Sequence, residues 1–273
     1  MKKKTIVLVA TVVMMLAALA IGGTLAYFTD KEVATNEFTL GNVVIDLVEE
    51  QRDGNGGLEE FEDDKVLLPI VGSAQGEKEA VGGYNLPTAA NWVDKIVTVD
   101  NEGTQPAYVR VLFAFPADMD DAQSAAEMML HWNYDGSEAA NTWTRTDCGV
   151  KVTVGEKDYN VYNYTYNAIL PVDGTTASPA ITGLYIDSRV DATVDENGAV
   201  TYSMKNGRDE VVSATYAKNT APKLLVLAQG VQSAGFEDQG ADAALTAGFG
   251  DVAENAQAWF NAIGETDERA DVQ

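Results

Sequence analysis

Residues 107–115, "AYVRVLFAF", alternate without a break. Ala107, Val109, Val111, Phe113 and Phe115 share one parity; Tyr108, Arg110 and Leu112 share the other. Successive side chains of a β-strand point to opposite faces, so this run places five apolar residues on one face of a sheet. Pro116 ends it. Val93, Val97 and Val99 alternate just upstream, and "NEGTQP" between the two runs supplies turn residues. The pair predicts two strands joined by a turn, with an apolar face to be buried against a second layer.

The same pattern recurs downstream. "VKVTV" (150–154) and "YNVYNYTYNAIL" (159–170) flank the turn "GEKD". "GLYIDSRVDATV" (183–194) and "AVTYSM" (199–204) flank "DENG", and "VVSATYA" (211–217) follows Asn206-Gly207. "KLLVLAQGVQSAGF" (223–236) predicts a long, apolar, central strand. Two stretches read as helical: "ADMDDAQSAAEMMLHW" (117–132), with acids in its first turn, and the C-terminal 240–263, broken near Gly248-Gly250. Many short strands with turns between them predict a mostly β chain: an antiparallel β-sandwich with two or three short helices as insertions and at the C-terminus.

The beginning of the chain obeys other rules. Lys2, Lys3 and Lys4 precede a run without charge from Thr5 to Thr29, and Ile6 to Leu19 is strongly apolar. Thr24 and Ala26 stand at the -3 and -1 positions of a small-residue cleavage site, which is the anatomy of a secretory signal peptide. The uncharged run is also long enough to span a bilayer with about 20 residues, so a retained anchor is the alternative. Cleavage after Ala26 divides the chain into a leader (1–26), a mature N-terminal segment (27–48), a sandwich domain (49–264) and a polar tail (265–273).

Charge then limits the partners. The 273 residues include 42 acidic and 18 basic ones, a formal net charge of -24, or -27 once the three leader lysines are removed. Such a surface repels nucleic acid and anionic lipid, and suits a solvated exterior outside the cell. Cys148 is the single cysteine, so no intramolecular disulfide forms; a buried, inert thiol is expected.

The stretch "GGTLAYFTDKEVATNEFTLGNVVIDL" (22–47) resembles the leader and mature N-terminus of the TasA/camelysin family of Gram-positive bacteria. The matching positions are Gly22, Gly23, Ala26, Tyr27, Phe28, Asp30, Phe38 and Gly41. "WVDKIVTVDNEGTQPAYVRVLF" (92–113) is more loosely similar to the family's strand and turn. The resemblance implies processing by a specialised signal peptidase of the SipW type, a jelly-roll form of the sandwich, and a place in the extracellular matrix or on the cell surface. Members include matrix proteins that polymerise into biofilm fibres, and camelysin, described as a metalloprotease.

Fibre formation in such relatives has the mature N-terminal strand filling a groove of the neighbouring subunit. Here that segment is polar first and strand-like after. Tyr27, Phe28, Phe38, Leu40, Val43, Ile45 and Leu47 are its candidate assembly residues, with a change of parity and an expected bulge at Gly41-Asn42. Strand addition between copies is heterologous and does not close, so it gives a head-to-tail homopolymer. The alternative is that residues 38–48 are simply the first strand of their own domain.

Catalytic signatures are sparse. Zinc hydrolysis needs imidazole or thiolate ligands with one position open for water. The chain has one histidine, His131, and no His-Glu-x-x-His, and no Gly-x-Ser-x-Gly elbow is present. "RDGNGGLEE" (52–60) lacks the ligand spacing of a calcium loop. No catalytic residue, metal ligand or cofactor is therefore assigned. Tyr159, Tyr162, Tyr164 and Tyr166 form a candidate carbohydrate-binding strip, or equally a half-buried sheet face, which leaves a monomeric surface-binding module as a third possibility beside matrix protein and camelysin-like protease.

Overall fold

The structure is a computed structural model, and it describes residues 29–33, 43–53, 55, 57–61, 79–81, 84–86, 92–120, 128–133, 142–187, 189–206, 208–218 and 223–270. In chain order the strands are β1 (Thr29–Val33), β2 (Ile45–Arg52), β3 (Leu58–Glu60), β4 (Glu79–Val81), β5 (Tyr84–Leu86), β6 (Trp92–Asn101), β7 (Ala107–Pro116) and β8 (Leu130–Asn133). They continue as β9 (Trp143–Val154), β10 (Lys157–Tyr166), β11 (Gly174–Thr175), β12 (Ile181–Ile186), β13 (Asp191–Val194), β14 (Val200–Lys205), β15 (Val211–Tyr216) and β16 (Leu225–Gln232). Two helices follow, α1 (Ala241–Phe249) and α2 (Val252–Ala270).

Two antiparallel sheets make the sandwich. One has the order β1-β16-β7-β10-β9; the other runs β3-β2-β6-β12-β8, with β11 also on β6. The two predicted strands are present and belong to different sheets: β6 lies in the second and β7 in the first, so "NEGTQP" crosses between layers. The apolar parity of β7 explains why. Val109, Val111, Phe113 and Phe115 face Val97 and Val99 of β6 and Ile181 and Leu184 of β12 in one core. Phe115 stacks on Trp132 of the opposite sheet at 3.9 Å between ring centroids, and Trp132 Nε1 donates to the Tyr164 hydroxyl at 2.7 Å. A small third sheet, β13-β14-β15, adds Tyr202, Met204, Ala214 and Tyr216 to the same core.

Every residue of β7 is buried, because the other face of its sheet is covered as well. Tyr108 and Val231 lie under Ala244 and Leu245 of α1. Leu112, Ala114, Tyr159, Val161, Leu225 and Leu227 lie under Ala256 and Phe260 of α2. Gly250, at φ 87°, ends α1 with its N–H donating to Thr246 O at 2.8 Å. Asp251 then caps α2, accepting from Ala253 N–H at 2.7 Å. The C-terminal helical reading and its break near Gly250 therefore hold.

Three expectations change. Leu130–Asn133 is a strand, so His131 and Trp132 leave the predicted helix; residues 121–127 lie outside the described ones. Cross-strand pairing with β12 and the Trp132–Phe115 stack override the helical composition there. Cys148 is half-buried rather than fully enclosed: it sits where β9 bulges against β10, next to Gly149 at φ 62°. The four tyrosines of the candidate carbohydrate strip are all buried, so they offer no stacking face to a sugar.

Candidate functional site

The sheet edge nearest the N-terminus is where sequence and structure meet. β16 is apolar through most of its length, and one side of it pairs with β7. Its other side pairs antiparallel with β1, from Thr29↔Val231 to Val33↔Leu227. The five residues of β1, "TDKEV", are mostly polar. β16 is thus an interior strand only because β1 lies beside it. Sequence reasoning missed β1: it placed the strand-like part of the mature N-terminus after residue 37, and the three consecutive charged residues Asp30, Lys31 and Glu32 leave Thr29–Val33 without an apolar alternation to signal a strand.

β2 is held differently. Val43 and Ile45 are 0% exposed and Leu47 8%, all within the main core. β2 pairs with β6 from Ile45↔Asn101 to Glu50↔Ile96. Its start also crosses the other sheet at Gly230. A Cβ on that glycine would stand 2.7 Å from Ile45 Cγ2 and 3.4 Å from Val43 Cγ1. Glycine at this point of β16 lets the two sheets close over the beginning of β2. Of the candidate assembly residues, Val43, Ile45 and Leu47 are therefore packed inside their own chain. Thr24, Ala26, Tyr27, Phe28, Phe38 and Leu40 lie outside the described residues, as does the Gly41-Asn42 bulge.

Behind β16, on the face covered by the helices, sits a buried cation. Arg110 is 3% exposed; its Nε donates to Gln229 Oε1 at 2.7 Å and its Nη2 reaches Gly250 O at 3.5 Å. The guanidinium thus meets the C-terminal end of α1, where the helix dipole is negative. Trp259 and Phe249 flank it. Burial pulls its pKa down to about 10, opposed by the charges of Cys148, Asp242 and Asp251, so it remains a cation at neutral pH. It fastens both helices to the outer face of β7 and β16.

His131 belongs to a separate cluster at the edge of the second sheet. Its Nε2 lies 3.1 Å from Asp187 Oδ2, and Arg189 donates to both oxygens of Asp187 at 2.9 Å. Burial alone would raise the Asp187 carboxyl, but the hydrogen bonds from His131 and Arg189 outweigh it and hold it well below the usual carboxylate range. Among the described residues no three His, Cys, Asp or Glu side chains are grouped so as to hold a metal ion. Asp53, in the loop after β2, accepts from the backbone N–H groups of Asn55 and Gly57 at 2.7 and 2.9 Å.

Residues 1–52 match the family model described as camelysin metallo-endopeptidase, which is the TasA/camelysin family that the leader resembles. No curated protein matches the chain in sequence. The matched stretch ends with β2 and contains neither histidine nor cysteine.

Proposed function

We propose that this is a secreted structural protein of the extracellular matrix or cell surface of a Gram-positive bacterium, similar to TasA, that assembles into fibres by exchange of an N-terminal strand. The leader is removed after Ala26 by a SipW-type peptidase. The freed segment of one subunit then adds to the β16 edge of the next, giving a head-to-tail homopolymer. The observation that carries this reading is the cover of β16: an apolar strand closed by five mostly polar residues that precede the packed part of the chain.

The energetics favour a replaceable cover. Each ladder bond contributes about 0.5–1.5 kcal/mol net. Ordering each residue costs roughly 1–2 kcal/mol. A short polar strand therefore stays near break-even, and the same segment from a neighbour displaces it once protein concentration offsets the entropy of association. The revised donor is the part of the segment before Val43, since Val43, Ile45 and Leu47 already serve their own core. Sedimentation velocity of residues 27–273 across concentration and salt tests the reading: polymer should grow with both, because salt screens the repulsion between copies carrying -27. A monomer under every condition would end it.

The family name raises the protease alternative. The residues present do not fit a histidine-based zinc site: the chain has one histidine, and that ring is already bound to Asp187. Chelator-sensitive cleavage of casein by the purified protein would reverse this judgement.

A further inference from the structure

The upper end of the sandwich is where β6, β10 and β16 finish and β7 begins; the lower end is where β7 finishes and β10 and β16 begin. Residues 100–106, 167–174 and 233–240 build the upper end. They include Asp100, Glu102, Asp173, Glu237 and Asp238, and neither lysine nor arginine. Among these acids stand Ile169 and Val172, 39% and 38% exposed. Their loop is held from behind: Leu170 is 0% exposed and exchanges two backbone bonds with Ala107, at 2.9 and 2.8 Å, and Asp173 N–H donates to Asn101 O at 2.9 Å. A small apolar patch among carboxylates therefore faces outward on a fixed loop.

Lysines gather at the lower end. Lys151 precedes the β9–β10 turn and Lys157 follows it, while Lys218 and Lys223 flank the link from β15 to β16. Lys157 Nζ lies 4.5 Å from the centre of the Tyr216 ring, which brings the end of β15 to this end of the main sheet. Val194, 53% exposed, lies in the same cross-strand row as Val200 and Tyr216. Acids are present too, Glu156 and Glu196 among them. Asp118, however, already accepts from Lys157 and the Tyr216 hydroxyl, and Asp195 from backbone N–H groups of its own turn.

The register of β1 decides which ends meet when that strand is lent. Val33 pairs with Leu227, toward the lower end of β16, whereas Val43 lies against Gly230, nearer the upper end. The chain between them, 34–42, reaches about 35 Å at full extension. A subunit whose β1 lies on a neighbour's β16 thus leaves that neighbour toward its lower end, and keeps its own upper end within that reach. We propose that the upper end of one copy docks on the lower end of the next, with Ile169 and Val172 against Val194, and Glu102 and Asp238 facing Lys218 and Lys223. Copies this acidic repel one another across most faces; in this pairing one side brings carboxylates and the other lysines. The contact is heterologous, so it repeats along a filament. The choice of partner rests on the assembly reading above; the asymmetry of the two ends does not.

The test reverses each end in residues 27–273. One variant carries Lys218→Glu with Lys223→Glu, the other Glu102→Lys with Asp238→Lys; all four positions are exposed, and circular dichroism checks that both variants fold. Sedimentation velocity over matched concentrations and salt reads assembly. Each variant alone should need roughly tenfold more protein than the wild type to polymerise, and an equimolar mixture should recover most of that loss, because a reversed upper end then finds a reversed lower end. The Glu102→Lys, Asp238→Lys chain also separates end contact from general repulsion. It is four charges closer to neutral, so repulsion alone would make it assemble more readily than the wild type. That outcome would overturn the proposal, as would a mixture no better than its components. A wild type that stays monomeric throughout would strike the assembly reading instead. The mixture would then be read for association between the two variants, and its absence would overturn the end contact as well.

Discussion

At one edge of the five-stranded sheet a strand is covered by a strand: β1 lies along β16 through five register pairs, and its sequence is mostly polar. At the other edge a strand is covered by a side chain: Gln257 binds both backbone groups of Thr153 from a helix that Phe260 anchors to the sheet. The first cover can be replaced by any equivalent strand, because a backbone ladder is indifferent to which molecule supplies it. The second is tied to its own molecule by packing.

The most severe break removes the scaffold that both edges share. A chain beginning at residue 49 loses Val43, Ile45 and Leu47 from the core. At roughly 2–5 kcal/mol for each large side chain taken from a core, the loss rivals the whole stability of a domain. Circular dichroism should show no cooperative melt. A chain beginning at residue 34 loses only the β1 cover and should melt cooperatively, close to the parent.

Gly230→Val attacks the β16 side alone. Its Cβ would stand 2.7 Å from Ile45 Cγ2, so the sheets must part over the start of β2. The expected cost is up to about 3 kcal/mol, read as a lower urea midpoint. Arg110→Met sharpens the other side. It leaves Gln229 Oε1 and Gly250 O without their guanidinium, for about 2 kcal/mol, and should raise amide exchange in α1 and α2 before it affects β2.

The smallest effect should come from Asp187→Asn, which lies on the second sheet and touches neither edge. Asp187 binds a proton less readily in the folded chain than in the unfolded one. Its contribution is therefore complete above the unfolded carboxylate value of about 3.9, and is lost as pH falls from there toward the lower folded value. The variant should lose about 1 kcal/mol at pH 7 and a smaller amount at pH 2, in urea melts at the two values.

Much of the sandwich was legible because burial on one face leaves a period of two. β7 and β10 show it plainly. What covered the second face was harder to see. The other parity of β7, Tyr108, Arg110 and Leu112, suits water as well as it suits a helix, and only packing shows Arg110 to be buried under α1 and α2. Leu130–Asn133 was misread because a tertiary stack, Trp132 on Phe115, decides its conformation. The leader is an expectation from the n-region, apolar run and small residues at Thr24 and Ala26, and it lies outside the described residues. The edge devices were not. β1 has no apolar parity, and Gln257 lies about a hundred residues from Thr153, so neither leaves a local pattern.

The most direct measurement is negative-stain electron microscopy of two purified chains, residues 27–273 and 34–273, over matched concentrations and salt. The account predicts filaments from the longer chain, and folded, unpolymerised particles from the shorter one. Filaments from both chains, or folded monomers from both, would contradict the claim that Thr29–Val33 is the strand that one subunit lends to the next.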